Sequence, residues 1–145
     1  MKVTYRQATE KDLADIYNIE LACFLRPWTY ASLQNDICSN EWALYIVAEA
    51  DGCIAGYCGM HTMFDEGHIM NVAVMPRFRR RGIGKGLIEA VFCMTALDCY
   101  TLEVRITNLD AVSLYKRLGF EILGKRPKYY GDEDALIMWK GKTAP

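Results

Sequence analysis

The chain has 145 residues, 52% of them hydrophobic and 24% charged, with a formal net charge of −1. That length suits one domain with a single core, and that composition excludes a disordered chain. A near-neutral balance, no apolar run near the ~20 residues of a bilayer span and no signal-peptide core argue against nucleic acid, membrane and export, leaving a cytoplasmic protein as the expectation.

Residues 3–8 alternate weakly and predict a first strand. Thr9 is a good N-cap with Asp12 in the first turn, and Leu13, Ile16, Tyr17, Glu20 and Leu21 then recur at helical spacing. Arg26 precedes Pro27 and avoids helical angles, which breaks the pattern before Thr29. Thr29 or Tyr30 begins a second, short helix that runs to about Asn40. Residues 42–50 and 53–63 are rich in β-branched, aromatic and small apolar side chains and are joined by Asp51-Gly52, a strong hairpin signal. Gly56 and Gly59, inside the second run, mark bends or close backbone approach.

A turn at Asp65-Glu66-Gly67 leads into a strand over residues 68–75. The helix after Gly84 places Leu87, Ile88, Val91, Phe92, Thr95 and Ala96 on one face. Residues 101–104 form a short apolar strand that carries one carboxylate. Asn108 caps a last helix over 111–118, which Gly119 ends. Residues 120–123 and 135–139 close the chain as an antiparallel pair around a polar, aromatic loop. The order β-α-α-β-β-β-α-β-α-β-β predicts one mixed α/β domain over residues 1–145, without linker or repeat.

Six cysteines (Cys23, Cys38, Cys53, Cys58, Cys93, Cys99) are scattered in apolar contexts. With no Cys-x-x-Cys pair and no histidines at zinc-ligand spacing, reduced thiols packed as small hydrophobes are expected, and no metal.

The most informative stretch begins where Val72-Ala73-Val74 stops at Pro76. A basic, glycine-rich loop follows, Arg79-Arg80-Arg81-Gly82-Ile83-Gly84-Lys85, and opens directly into a helix. Such a junction leaves backbone N–H groups unpaired at the positive end of the helix dipole, and glycines let a phosphate come close. The pattern is not the Gly-x-Gly-x-x-Gly fingerprint, since residue 87 is leucine, and it lacks the Gly-Lys-Ser/Thr ending of a P-loop. A phosphorylated cofactor is predicted, with a plain solvated loop as the alternative.

Arg79-x-x-Gly82-x-Gly84, between a strand and a helix, resembles the acetyl-coenzyme A pyrophosphate loop of the GNAT N-acetyltransferases. The order of elements is similar to theirs over nearly the whole chain. Further segments resemble the RimI-type subfamily, which acetylates the N-terminal amine of a ribosomal protein: Phe24-Leu25-Arg26-Pro27-Trp28-Thr29, Asn71-Val72-Ala73-Val74, Leu102-Glu103-Val104-Arg105-x-x-Asn108, Leu114-Tyr115-x-x-x-Gly119-Phe120 and Tyr129-Tyr130…Glu133-Asp134-Ala135.

This resemblance implies the GNAT fold, a mixed and mostly antiparallel central sheet flanked by helices. It also implies that acetyl-CoA is held by Val72, Ala73, Val74, Arg79, Arg80, Arg81, Gly82, Ile83, Gly84, Lys85, Asn108 and Tyr115. In the family the strand matching Val72-Ala73-Val74 splays from its neighbour, so that its backbone grips the pantetheine arm. Phe24, Pro27, Trp28, Asn71 and Tyr129 match positions around the acceptor groove, although ordinary packing would equally account for the aromatic residues and Pro27.

A carboxylate at Glu103 is unusual in an apolar strand. It is either an outward residue paired with Arg105 or Lys116, or a general base. An attacking α-amine, pKa ~7.7–8.0, is mostly protonated at neutral pH, and a carboxylate could take that proton directly or through water. Tyr115 is either a core aromatic or the acid for a departing thiolate whose thiol has pKa ~8.5. The resemblance assigns the functional role to both. A Glu66–His68 pair is a weaker candidate base.

The expected reaction is acetyl transfer to a protein N-terminal α-amine, such as the alanine of a ribosomal protein. The amine attacks directly, without a cysteine intermediate, in a monomer or weak dimer. A small-molecule amine or a lysine as acceptor, and a non-catalytic acyl-CoA sensor, are the competing readings.

Overall fold

Local signals account for most element boundaries in the computed structural model, which describes residues 1–141. The strands are β1 (Val3–Gln7), β2 (Ala43–Ala50), β3 (Cys53–Met63), β4 (Glu66–Val74), β5 (Cys99–Arg105), β6 (Glu121–Arg126) and β7 (Ala135–Gly141). The helices are α1 (Leu13–Cys23), α2 (Tyr30–Cys38), α3 (Ile83–Met94) and α4 (Leu109–Arg117). The strand order is β1-β2-β3-β4-β5-β7-β6. The β4–β5 ladder is parallel, whereas β1–β2, β2–β3, β5–β7 and β6–β7 are antiparallel. The predicted mixed, mostly antiparallel sheet is therefore correct, and so is the predicted order of elements.

Several boundaries differ from expectation: α3 ends at Met94, leaving Thr95 and Ala96 outside the helix, α4 starts at Leu109, and β5 and β7 are longer than expected. Strand β4 begins at Glu66 because Phe64, at φ 56, takes the turn that the sequence places around Gly67. Strand β6 continues to Arg126, past the predicted end at Leu123, because Gly124 sits at a register shift and does not end the strand.

The chain divides into two compact units: residues 1–61 with 71–96, and residues 62–70 with the segment from 97 onward. In the first unit, Thr9 and Asp12 form a capping box ahead of α1. Both Asp12 oxygens also accept from the Arg6 guanidinium at 2.8 Å. Burial works against the charge of Asp12, but the bonds from Arg6 and Thr9 hold its pKa below the usual carboxylate range. Asp51 and Gly52 both have positive φ, 52° and 76°, as a two-residue type I′ hairpin requires.

The core of this unit gathers Leu13, Ile16 and Ile19 of α1, Leu33 of α2, Tyr45 and Val47 of β2, Tyr57 of β3 and Ala73 of β4. The Tyr45 and Tyr57 rings stack at 5.9 Å with an interplanar angle of 2°. Tyr45 stands opposite Gly59 in the ladder, and a Cβ at Gly59 would lie 2.9 Å from its ring. The glycine is what lets the ring lie across the strand. Helix α3 buries Ile83, Leu87, Ile88 and Val91.

In the second unit, β5 pairs with β7 from Cys99–Gly141 to Arg105–Ala135. Leu102, Val104, Val112, Phe120, Ala135 and Met138 are buried. Asn108 caps α4 by accepting the Ala111 N–H at 3.2 Å, and Gly119, at φ 99, follows the helix as predicted.

All six cysteines are free thiols. Cys58 and Cys99 are buried as small hydrophobes, and burial pushes the Cys58 thiol up to about 12. Cys38 and Cys93 are exposed and do not fit the expectation of core packing. Among the described residues no helix is long and apolar enough to cross a membrane.

A Cβ at Gly56 would stand 2.6 Å from the Ala73 carbonyl oxygen and 3.3 Å from the Val74 Cα, backbone atoms that cannot rotate away. Gly56→Ala is expected to destabilise the protein by about 2 kcal/mol, as overpacking does. At Gly124 the nearest atom to a new Cβ is the tip of Ile137 at 3.4 Å. Gly124→Ala should therefore stay within about 0.5 kcal/mol of wild type, and urea midpoints of the two variants make the comparison.

Candidate active site

The first unit carries the basic loop. Gly82, at φ 77, is the N-cap of α3 and supplies no side-chain cap. The first helical bond in this turn joins the Gly86 N–H to the Gly82 carbonyl at 3.0 Å. The N–H groups of Ile83, Gly84 and Lys85 therefore face the helix start with no bond inside the helix. Arg80, Arg81 and Lys85 are exposed around them, and Ile83 is buried as the anchor of the turn. Convergent backbone donors, a helix dipole and exposed cations form a donor set that fits a pyrophosphate.

Arg79 is placed differently. Its Nε donates to the Val74 carbonyl at 3.0 Å and a terminal nitrogen reaches the Cys23 thiol at 3.5 Å. Cys23 also donates to the Val74 carbonyl, at 3.4 Å. The Arg79 side chain thus braces the loop against the end of β4, and the Val74 carbonyl is already engaged. Ala73 is buried, and Val72 and Val74 are half-buried.

The same unit holds most of the predicted acceptor positions. Phe24 and Trp28 are half-buried and pack on the core, and Pro27 is half-buried between them in sequence. Asn71, on β4, donates from Nδ2 to Glu20 Oε2 at 3.1 Å and to the Tyr57 hydroxyl at 3.2 Å. Glu20 is fully buried; its Oε1 accepts the Trp28 N–H at 2.7 Å and its Oε2 the Tyr57 hydroxyl at 2.5 Å. Burial raises the Glu20 pKa against the pull of these bonds, and burial beside Glu20 raises that of Tyr57. Sequence reading placed Glu20 on the helix face without noting that a carboxylate there, one turn after Ile16, has to find donors inside the core.

A second buried carboxylate, Asp36 on α2, was also missed. Its Oδ2 accepts from the Tyr45 hydroxyl and meets His61 Nε2, both at 2.7 Å, and its Oδ1 accepts from Asn40 at 3.1 Å. Burial would raise its pKa, yet the bonds from His61, Tyr45 and Asn40 win and lower it.

The second unit carries the predicted chemistry. Glu103 is half-buried on β5, and its partner is Arg126 on β6, Nε to Oε1 3.5 Å. The pairing with Arg105 or Lys116 considered from sequence is not what forms: Arg105 turns to Asp132 at 3.2 Å and Glu133 at 3.4 Å. The Arg105 guanidinium also covers the Tyr130 ring at 4.3 Å. Burial, with Tyr129 and Glu103 adding to it, pushes the Tyr130 phenol up to about 12. Tyr129 is half exposed, meets the Tyr130 ring edge-on at 5.0 Å and lies 5.7 Å from the Arg126 guanidinium.

Arg126 thereby links the surroundings of Glu103 to those of Tyr129, a connection absent from the sequence reading. Tyr115 is buried on α4 with its ring 5.9 Å from Phe120. The Asn108 oxygen is used as a cap, so only its amide nitrogen could donate to a ligand. The ring of His68 meets Trp139 edge-on at 6.5 Å.

The class of protein, an acetyltransferase, follows from the fold and the sequence taken together. The sequence profile of the Acetyltransferase (GNAT) family matches residues 13–120, and the chain belongs to that family. The chain is 39% identical over 143 residues, 95% of each chain, to a Bacillus subtilis protein provisionally named a ribosomal protein bS18-alanine N-acetyltransferase. It is 32% identical over 136 residues to the ribosomal protein bS18-alanine N-acetyltransferase of Escherichia coli K12, covering 88% of this chain and 89% of that one. The crystal structure of the ribosomal-protein-S18-alanine N-acetyltransferase from Escherichia coli superposes with TM-score 0.89 at 28% identity, covering 99% of this chain and 97% of that one. The resemblance to RimI-type enzymes seen in the sequence is borne out.

The Asp36 cluster gives a signed pH effect. Its folded pKa lies below the ordinary aspartate value of about 3.9, so its ionised form stabilises the protein above that pH, and this contribution is lost as pH falls through the depressed folded value. Asp36→Asn is expected to lower stability at pH 7 by about 2 kcal/mol. The gap to wild type should close in acid below about pH 4, which urea melts at pH 7 and pH 3 will measure.

Proposed function

We propose that this acetyltransferase moves the acetyl group of acetyl-CoA to the N-terminal α-amine of a protein, with the alanine of a ribosomal protein as acceptor. The whole chain is read as one acetyltransferase domain working in the cytoplasm on a protein N-terminus as partner. The observation that carries the reading is the Glu103 carboxylate, half-buried on an apolar strand with Arg126 as counter-ion and Tyr130 nearby, in a chain whose relatives at 39% and 32% identity bear the bS18-alanine name.

Acetyl-CoA supplies an activated thioester. The N–H groups of Ile83, Gly84 and Lys85, with Arg80 and Arg81, hold its pyrophosphate, and the Asn108 amide nitrogen adds a further donor. Arg79 acts through the loop it braces. The parallel ladder supports a role for Val72-Ala73-Val74, because its register ends at Ile69–Leu102 and pairs no β5 residue with these three. Their backbone can then bind an extended arm.

Glu103 takes a proton from the acceptor ammonium, directly or through water, so that a neutral amine attacks. Arg126, 3.5 Å away, orients that carboxylate. Tyr115, buried on α4, delivers a proton to the departing sulfur. Phe24, Pro27, Trp28, Asn71 and Tyr129 border the acceptor.

Glu103→Gln and Tyr115→Phe are each expected to lower kcat about 10²–10³-fold toward an Ala-starting peptide while leaving the thermal midpoint near wild type. Mass spectrometry of the peptide products measures the transfer. Wild-type rates in both variants would sink the mechanism. Turnover of polyamines or lysine side chains without N-terminal peptides would shift the acceptor class, and tight acetyl-CoA binding with no transfer would indicate a sensor.

A further inference from the structure

Glu20 takes no part in the chemistry described above, yet it occupies a junction that chemistry depends on. Its backbone carbonyl accepts the Phe24 N–H at 3.0 Å, and its side-chain Oε1 accepts the Trp28 N–H at 2.7 Å. One residue therefore holds both ends of the non-helical segment 24–28. Its Oε2 receives the Tyr57 hydroxyl and the Asn71 amide nitrogen, and that nitrogen also donates to the Tyr57 oxygen. The two acceptors lie so close together that one Asn71 amide hydrogen is shared between them, which fixes the plane of the amide and with it the direction of Oδ1, an acceptor suited to the N–H of an incoming amine.

Stability alone does not explain a carboxylate here. Burying a charge costs more than burying an apolar side chain of similar volume, even when the charge is well bonded. What the carboxylate supplies is direction: three donors from three separate stretches of chain converge on two oxygens. We propose that Glu20 is a positioning residue for the acceptor, fixing the path of residues 24–28 and the orientation of the Asn71 amide. This rests on the reading that segment 24–28 and Asn71 border the acceptor groove.

The test compares wild type with Glu20→Gln, which keeps the volume but puts a donor where two acceptors are needed. Initial rates are measured with an Ala-starting peptide varied at saturating acetyl-CoA, and then the reverse. The KM for peptide should rise about tenfold or more, with the KM for acetyl-CoA within about twofold of wild type. Hydrogen exchange of amides 24–28 should accelerate by about tenfold relative to those of α2. A peptide KM within about twofold of wild type, or an equal rise in both KM values, overturns the proposal.

If E20Q does not fold, Tyr57→Phe removes one donor and leaves the Trp28 bond. The same split is then expected at about three- to fivefold, and its absence counts against the role equally. A wild type inert on N-terminal peptides would sink the acceptor reading. An active wild type with an unaltered E20Q would sink only the role of Glu20.

Discussion

Two tyrosines on one hairpin, each donating its hydroxyl to a buried carboxylate on a different helix, hold the first unit together. Tyr57 bonds Glu20 of α1 and Tyr45 bonds Asp36 of α2, while the two rings lie stacked against each other. A buried carboxylate without donors costs several kcal/mol, so neither helix can shift along the sheet without exposing that cost. Apolar packing of Leu13, Ile16 and Leu33 gives the helices a surface to rest on but tolerates sliding. The Tyr–carboxylate bonds remove that freedom. Everything between α1 and α2, including Phe24 and Trp28, takes its place from them.

The two carboxylates differ in balance although their donors are alike. Glu20 is sealed from solvent, and the cost of burial outweighs three hydrogen bonds and raises its pKa. Asp36 keeps 7% of its surface open and adds His61 to its partners, so its bonds dominate and its pKa falls. Asp36 with His61 has the composition of a general-base pair. Its imidazole Nε2, however, is turned onto the carboxylate and the pair anchors α2 to the end of β3. In the second unit Glu103 has the opposite character: it is half open, with a single exposed arginine beside it. Carboxylates that build the scaffold are sealed, and the one assigned to proton transfer can reach water.

Most of the fold was legible because its signals are local. The caps at Thr9, Thr29 and Asn108, the Asp51-Gly52 turn and the glycine after α4 each act over a few residues, and a pattern of that span can be read directly. The start of β4 was misplaced because Gly67 was read as part of a turn, whereas it lies within the strand and Phe64 takes the left-handed turn. The family was legible from motif spacing. What surrounds the candidate site was not, because Glu20, Trp28, Tyr57 and Asn71 are brought together only by the packing of helix on sheet. Arg126 likewise reaches Glu103 only once a bulge has set the register of β6 on β7. Long-range partners of buried charges leave little trace in sequence beyond the oddity of the charge itself.

The bonds that hold segment 24–28 are made to its backbone, at the Phe24 and Trp28 amides, while Leu25 is 89% exposed and Arg26 is also open to solvent. Side chains at these two positions can therefore be exchanged by single mutations without disturbing the path of the chain that carries them. Such a segment separates what natural selection can vary from what it must keep. A chain built this way can change the surface it shows at Leu25 and Arg26 while the backbone path beneath them stays the same.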